Sequence, residues 1–317
     1  MPGNIFVIMH HRFQESVSQN REGLMAQFIF PHLKKLVTCT DGSLSSQGAV
    51  NAGVELGRLT GAKVYLLQVL VPTPSYEVQD PEVYRISADL QILSTQEKAL
   101  RQQLEEYKTT VADTGIDLEA RVHISTSAYH GILEEADAVH PEWIIIGRKG
   151  WTGLKRLLLG SATARVIGHS PYHILVVPRD AVMSFRKILI AHDGSMYAEA
   201  AWRETIPLAE GAKSDVVAVS VARDERREMD CRLVLQHLEA SAERHGISLQ
   251  TILLKGQPFE QIIKTAQDER VDLIVMGSHG RTGISRLLLG SVAERVIGTA
   301  QCPVLVAKLP EGKTFRK

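Results

Sequence analysis

The sequence predicts two tandem copies of a doubly wound α/β domain built on a parallel sheet. Three observations lead there: a long segment recurs, short apolar runs alternate with helical stretches in each copy, and those runs are rich in Val, Ile, Leu and Ala. Gly147 to His169 reads GRKGWTGLKRLLLGSATARVIGH, and Gly277 to Thr299 reads GSHGRTGISRLLLGSVAERVIGT; fourteen of the 23 positions are identical. Upstream, Lys35 to Ser43 (KLVTCTDGS) matches Lys187 to Ser195 (KILIAHDGS). A repeat this long is a duplicated domain rather than a solenoid unit. The 317 residues accommodate two domains of about 150 each. The expected division is an extension over 1–33, a first domain over 34–178, a linker over 179–185, a second domain over 186–308 and a tail over 309–317; Asp180, Ser184 and Arg186 suit a solvated connection at the linker.

Each copy opens with a short apolar strand, Leu36 to Thr40 and Ile188 to His192, that runs into Asp-Gly-Ser, a turn and helix-start signal. Helices follow at roughly Ser45 to Leu59 and Met196 to Leu208, then second strands at Val64 to Leu70 and Val216 to Val221. A polar helical stretch comes next, long in the first copy (about Ala88 to Val111) and shorter in the second (about Arg227 to His245). Third strands fall at Leu118 to Ile124 and Leu249 to Leu254, with helices at about Tyr129 to Ala138 and Phe259 to Asp268 behind them. Fourth strands, Trp143 to Ile146 and Leu273 to Met276, are continuously apolar and read as central and buried on both faces. Such alternation implies parallel strands joined by crossover helices. Ligands then bind outside the carboxyl ends of the strands, where strand order reverses.

Composition narrows the function classes. Lys plus Arg equals Asp plus Glu, 36 against 36, which leaves no basic excess for nucleic acid or an anionic membrane surface. Cys39, Cys231 and Cys302 are scattered, without disulfide or zinc spacing, and suit buried thiols in a reducing compartment. No apolar run reaches the ~18 residues of a membrane span, and Ile5 to Met9 lacks a basic leader. A cytoplasmic protein is expected.

The fourth strands lead into the motif with chemical content. Gly277-Ser-His-Gly280 is followed by nine residues and then Gly290-Ser291; Gly147-Arg-Lys-Gly150 is followed by nine and then Gly160-Ser161. Glycines let the backbone turn tightly and bring amides against an anion. Ser291 and Ser161 each open a helix, whose free amides and dipole favour phosphate. The competing reading is a strand-to-helix turn with a cap, and duplication copies structural glycines too. Asp41 and Asp193 end the first strands beside these loops. Each suits a ribose hydroxyl or adenine amine, or simply caps the next helix, worth about 1 kcal/mol.

This arrangement resembles the universal stress protein family. The carrying residues are the first strand ending in Asp-Gly-Ser, the G-x2-G-x9-G-S loop and the short last strand, His173 to Val177 and Pro303 to Ala307. The resemblance spans about 34–178 and 186–308. It implies a five-stranded parallel sheet of Rossmann-like type in each half and, in the nucleotide-binding branch, ATP at these positions. Asp193 would lie near adenosine, and the Val221 backbone would meet adenine. Gly277, His279, Gly280, Gly290, Ser291 and Val292 would surround ribose and phosphates. The matching first-half positions are Asp41, Val69, Gly147, Lys149, Gly150, Gly160, Ser161 and Ala162. There Arg148 and Lys149 replace the usual Ser-His; they either grip phosphate harder or fill the site. The resemblance also implies dimerisation through the last strand, so a tandem chain would pair its two halves internally, with a further homodimer left open.

Other features carry less. Gly57 to Lys63 lacks P-loop spacing and reads as a helix terminus. His10-His11 has no matching metal ligands, and Arg156 and Arg286 suit either phosphate or solvent. No Ser-His-Asp or paired-carboxylate set appears, and fast phosphoryl transfer needs a metal clamp, a placed nucleophile and a leaving-group cation. The reading is therefore an ATP-binding regulatory or protective stress protein, with Mg²⁺ held in part by Asp41 or Asp193. The alternatives are a slow ATPase or adenylyl-group enzyme, and an interaction module with vestigial sites. The first ~24 residues, outside both repeats, are expected to contribute nothing to the fold.

Overall fold

The computed structural model describes residues 30–72, 82–149, 159–280 and 289–309. Gly150, Arg156, Arg286, His10-His11 and the first 24 residues therefore lie outside the described residues. The first half runs β1 (Lys35–Thr40), α1 (Gln47–Thr60), β2 (Lys63–Leu70), α2 (Glu82–Val111), β3 (Leu118–Ile124), α3 (Ala128–Val139), β4 (Trp143–Gly147), α4 (Ser161–His169) and β5 (His173–Val177). The second half repeats the series as β6 (Lys187–Ala191), α5 (Met196–Ala212), β7 (Asp215–Ala222), α6 (Glu228–His245), β8 (Ser248–Lys255), α7 (Pro258–Asp268), β9 (Leu273–Gly277), α8 (Ser291–Thr299) and β10 (Val304–Ala307).

Local chemistry sets these boundaries. Gly61 is the left-handed C-cap of α1, φ 71°, so the segment that faintly suggested a P-loop is a helix terminus. Gly246 ends α6 in the same way. Ser195 caps α5 by accepting from Ala198 N–H at 3.1 Å, and Pro258 occupies the first turn of α7, where its missing N–H removes no bond. The α5 helix continues past Leu208, with Pro207 inside it, until Lys213 turns left-handed.

All ten strands form one sheet, in the order β3-β2-β1-β4-β5-β10-β9-β6-β7-β8. Strands are parallel within each half. Among the described residues the one antiparallel junction joins β5 to β10, with Leu175 opposite Leu305. The order reads the same from either end, so the halves are related by a pseudo-two-fold at that junction. Alternate strand residues face opposite sides. Leu175, Val177, Leu305 and Ala307 join one core, while Ile174, Val176, Val304 and Val306 join the other. Both cores thus run unbroken from one half into the other.

Polar contacts also bridge the halves. Glu204 on α5 accepts from Trp143 Nε1 of β4 at 2.8 Å, and its carboxylate lies 3.3 Å from His32 Nε2 and 3.6 Å from His173 Nε2. Burial alone would raise the Glu204 carboxyl, but these donors more than offset it and hold it below its ordinary value. His173 is pushed below its usual range by burial, against the opposing pull of Glu204. Its Nδ1 accepts from Lys308 N–H at 3.1 Å.

The connection between the halves differs from the expected solvated linker. Asp180 is exposed, but Met183 is buried and Phe185 is fully enclosed, its ring edge-on to Phe30 at 5.1 Å. Ser184 Oγ donates to Asp272 at 3.1 Å. Phe30 and Leu33, at the end of the segment before β1, enter the same core. Polar residues in this stretch suggested solvent, yet its apolar residues decide its path, because burying each contributes on the order of 2 kcal/mol. Among the described residues no helix is long and apolar enough to cross a membrane.

Two outcomes follow from this joint. Because the folded pKa of His173 is depressed from 6.5, the unfolded chain takes up the proton first as pH falls, so stability declines below about pH 6.5. Thermal melts from pH 7.5 to 5.5 should show this loss, and His173→Gln should flatten it; an identical pH profile in the variant contradicts the assignment. A fragment beginning at Ser184 exposes the β10 edge and should self-associate, whereas sedimentation as a stable monomer would show that the edge needs no partner.

Candidate functional site

Chemistry collects at the carboxyl ends of β6, β7 and β9. A cavity of about 400 Å³ opens there, within the range of small-ligand sites. Its lining includes all eight second-half residues expected from the sequence: Asp193, Val221, Gly277, His279, Gly280, Gly290, Ser291 and Val292. Four separate stretches of chain supply them, brought together by the strand order β10-β9-β6-β7.

One end of the cavity is the start of α8. Gly290 is its N-cap, extended at φ −62° and ψ 139°, and no side chain caps the helix. The contrast with α5, closed by Ser195, leaves the first amides of α8 facing the cavity. Gly290 N–H donates to Ser278 O at 3.0 Å, which closes the loop, and a methyl on Gly290 would stand 3.1 Å from that same oxygen. A side chain at Gly290 would crowd the turn and force that carbonyl to give by a few tenths of an ångström. Gly277 has a packing reason of its own: a methyl there would fall 2.6 Å from the Tyr197 backbone, where α5 crosses β9.

Asp193 lines the cavity beside Gly280. Its Oδ1 accepts from Ser195 N–H at 3.0 Å, the local turn that the sequence allowed. Its Oδ2 faces the loop, since a methyl on Gly280 would lie 2.8 Å from it. Beneath it, His192 is buried, accepts from Gly194 N–H through Nδ1 at 3.1 Å and turns Nε2 toward Glu199 at 3.7 Å. The facing His192 ring outweighs burial, with His237 and Arg203 adding to it, and holds Glu199 below its ordinary value. His279 Nδ1 shares a hydrogen with Ser278 Oγ at 3.0 Å, and its ring lies 5.0 Å from that of Tyr197.

Several lining residues went unread in the sequence. Arg223, Asp224 and Arg227 form a charged rim beyond β7, and Cys231, Pro258 and Ile262 complete the far wall. Attention to the turns after the first and fourth strands alone overlooked the turn after the second. His192 lay within the repeated strand motif, but its role is visible only once β6 and α5 are placed side by side.

The first half matches this layout with differences. Gly160 caps α4 without a side-chain bond, and its N–H donates to Arg148 O at 2.9 Å, as Gly290 does to Ser278. A methyl on Gly147 would meet Ser45 O at 2.9 Å, the same strand–helix crossing as at Gly277. Ser161 and Ala162 open α4, and Val69 ends β2 beside α3. Asp41 Oδ1 takes two donors from Ser43, its N–H at 3.0 Å and its hydroxyl at 2.6 Å, where Asp193 takes one from Ser195. Thr40 Oγ1 replaces the His192 ring as acceptor for the following turn. Lys149 is half-buried. Arg148 donates from its guanidinium to Ala300 O of the second half at 2.9 Å.

The three cysteines are unpaired. Burial pushes the Cys39 thiol far up and Cys302 to about 11, so neither is a thiolate at neutral pH. Among the described residues no group of three His, Cys, Asp or Glu is placed to hold a metal ion.

The profile of the Universal stress protein family matches residues 32–178 and 184–308. A universal stress protein of Methanocaldococcus jannaschii is 35% identical over 157 residues, covering 44% of this chain and 92% of that protein. One from Mycolicibacterium smegmatis is 26% identical over 289 residues, 84% of this chain and 95% of its own length. Among solved structures, a universal stress protein from Archaeoglobus fulgidus superimposes with a TM-score of 0.68 over 90% of this chain and 99% of that one; at 20% identity the likeness concerns the fold. With both halves matched across nearly the whole chain, this protein belongs to the universal stress protein family.

Proposed function

We propose that the chain binds ATP in its second half and serves a regulatory or protective role in the stress response rather than acting as an efficient enzyme. The observation that carries this reading is convergence: residues from four separate stretches line one cavity, with an uncapped helix start at one end. Each part suits one part of the nucleotide. Val221, Ile262 and Met276 offer apolar walls for a purine. Asp193 suits a ribose hydroxyl or the adenine amine. The amides at Ser291 and Val292, beside the side-chain-free Gly290, suit the phosphates. Asp193 would help hold a Mg²⁺ ion that arrives with the nucleotide, and the ion would supply charge neutralisation at the phosphates.

The first half is the weaker site in this reading. Asp41 is engaged twice by Ser43, and the Arg148 charge is directed into the other half. Among the described residues the lining shows neither the placed nucleophile nor the metal clamp of a fast phosphoryl-transfer enzyme. Residence of the nucleotide, rather than its turnover, is then the signal.

Ser291→Asp separates binding from folding. Ser291 is exposed at the first position of α8, where a carboxylate favours the helix by about 0.3–1 kcal/mol. The same charge repels phosphate. Calorimetry should show ATP affinity falling roughly tenfold or more, a loss of about 1.4 kcal/mol, while the melting temperature holds or rises. Unchanged affinity would remove α8 from the site.

A further inference from the structure

Arg148 belongs to the first half through its backbone and to the second through its side chain. Its N–H donates to Val177 O at 3.3 Å and its carbonyl accepts from Gly160 N–H at 2.9 Å, both within the first half. Its Nη1 then crosses the junction to Ala300 O, the carbonyl at the C-terminal end of α8, at 2.9 Å. The guanidinium is half-buried there, and a charge-assisted bond in such a setting is stronger than a neutral one. A cation at this end also matches the negative pole of the helix.

The other end of α8 is the anion end of the cavity, with Ser291 and Val292 among its lining. The helix has only nine residues, so about 13 Å separates the two ends. A rod this short transmits any shift at its C-terminus to its N-terminal amides. The opposite half makes a matching contact: Lys308, just beyond β10, donates from Nζ to Ile167 O in the last turn of α4. Each anion-facing helix is thus held at its far end by a cation from the other half.

We propose that Arg148 is a positioning residue for the second-half site, so that the first half sets the nucleotide affinity of the second. The inference rests on the reading that this cavity binds ATP. In the full chain, Arg148→Met should weaken ATP binding about fivefold or more, the lower end of coupling between sites. Arg148→Lys, which still offers a donor to the carbonyl, should recover part of that loss. Lys308→Met releases α4 and not α8; it should leave ATP affinity within about twofold, too small to count as coupling. Without nucleotide, hydrogen exchange across 289–300 should rise in Arg148→Met. Equal ATP affinity in Arg148→Met and the wild type overturns the inference alone, as does an equal loss in Lys308→Met. A wild-type chain that binds no ATP overturns the proposed function and this inference with it.

Discussion

The antiparallel pairing of β5 with β10 is the constraint on which the rest depends. Each half is a five-stranded parallel sheet, and each would present a short apolar strand at its edge. Such edges invite pairing with another chain. Here the two edges satisfy each other, with Val176, Leu175 and Ile174 opposite Val304, Leu305 and Val306. One continuous sheet results, and both of its faces carry cores shared between the halves. The junction also places Glu204 among Trp143, His32 and His173, and brings Arg148 within reach of α8.

That joint explains why two loops of like sequence have diverged in use. Ser278 and Arg148 occupy equivalent places after β9 and β4. Ser278 stays in its own loop beside His279, while Arg148 serves the join. Asp41 and Asp193 diverge in the same direction, the first closed by its neighbouring serine and the second turned toward Gly280. Duplication supplied two copies of one frame. Once joined through their edges, the copies no longer share an environment, and identical roles are not required of both.

Much of this was legible because it depends on local pattern. Continuous apolar runs marked the central strands, Asp-Gly-Ser marked the helix starts, and the repeated glycine spacing marked the loops at the switch point. The family resemblance carried by those residues supplied eight second-half positions that line the cavity. What was not legible depends on distant chain segments meeting. Nothing in the neighbourhood of Glu204 announces partners at positions 32, 143 and 173. Phe185 and Met183 looked like part of a polar connection until Phe30 was seen to pack on it. The rim of Arg223, Asp224 and Arg227 belongs to a turn without a motif. Gly277 shows the opposite difficulty: its spacing suggests a ligand, while its nearest constraint is the Tyr197 backbone.

The central claim is that the cavity behind α8 holds an adenine nucleotide, and native mass spectrometry of the full chain tests it most directly. Protein purified under gentle conditions and presented with ATP and Mg²⁺ should show a mass increment of one nucleotide per chain, with a second appearing only at higher concentration. Denaturation should release a molecule with the mass of an adenine nucleotide. A chain that stays at its bare mass at every ATP concentration would contradict the account.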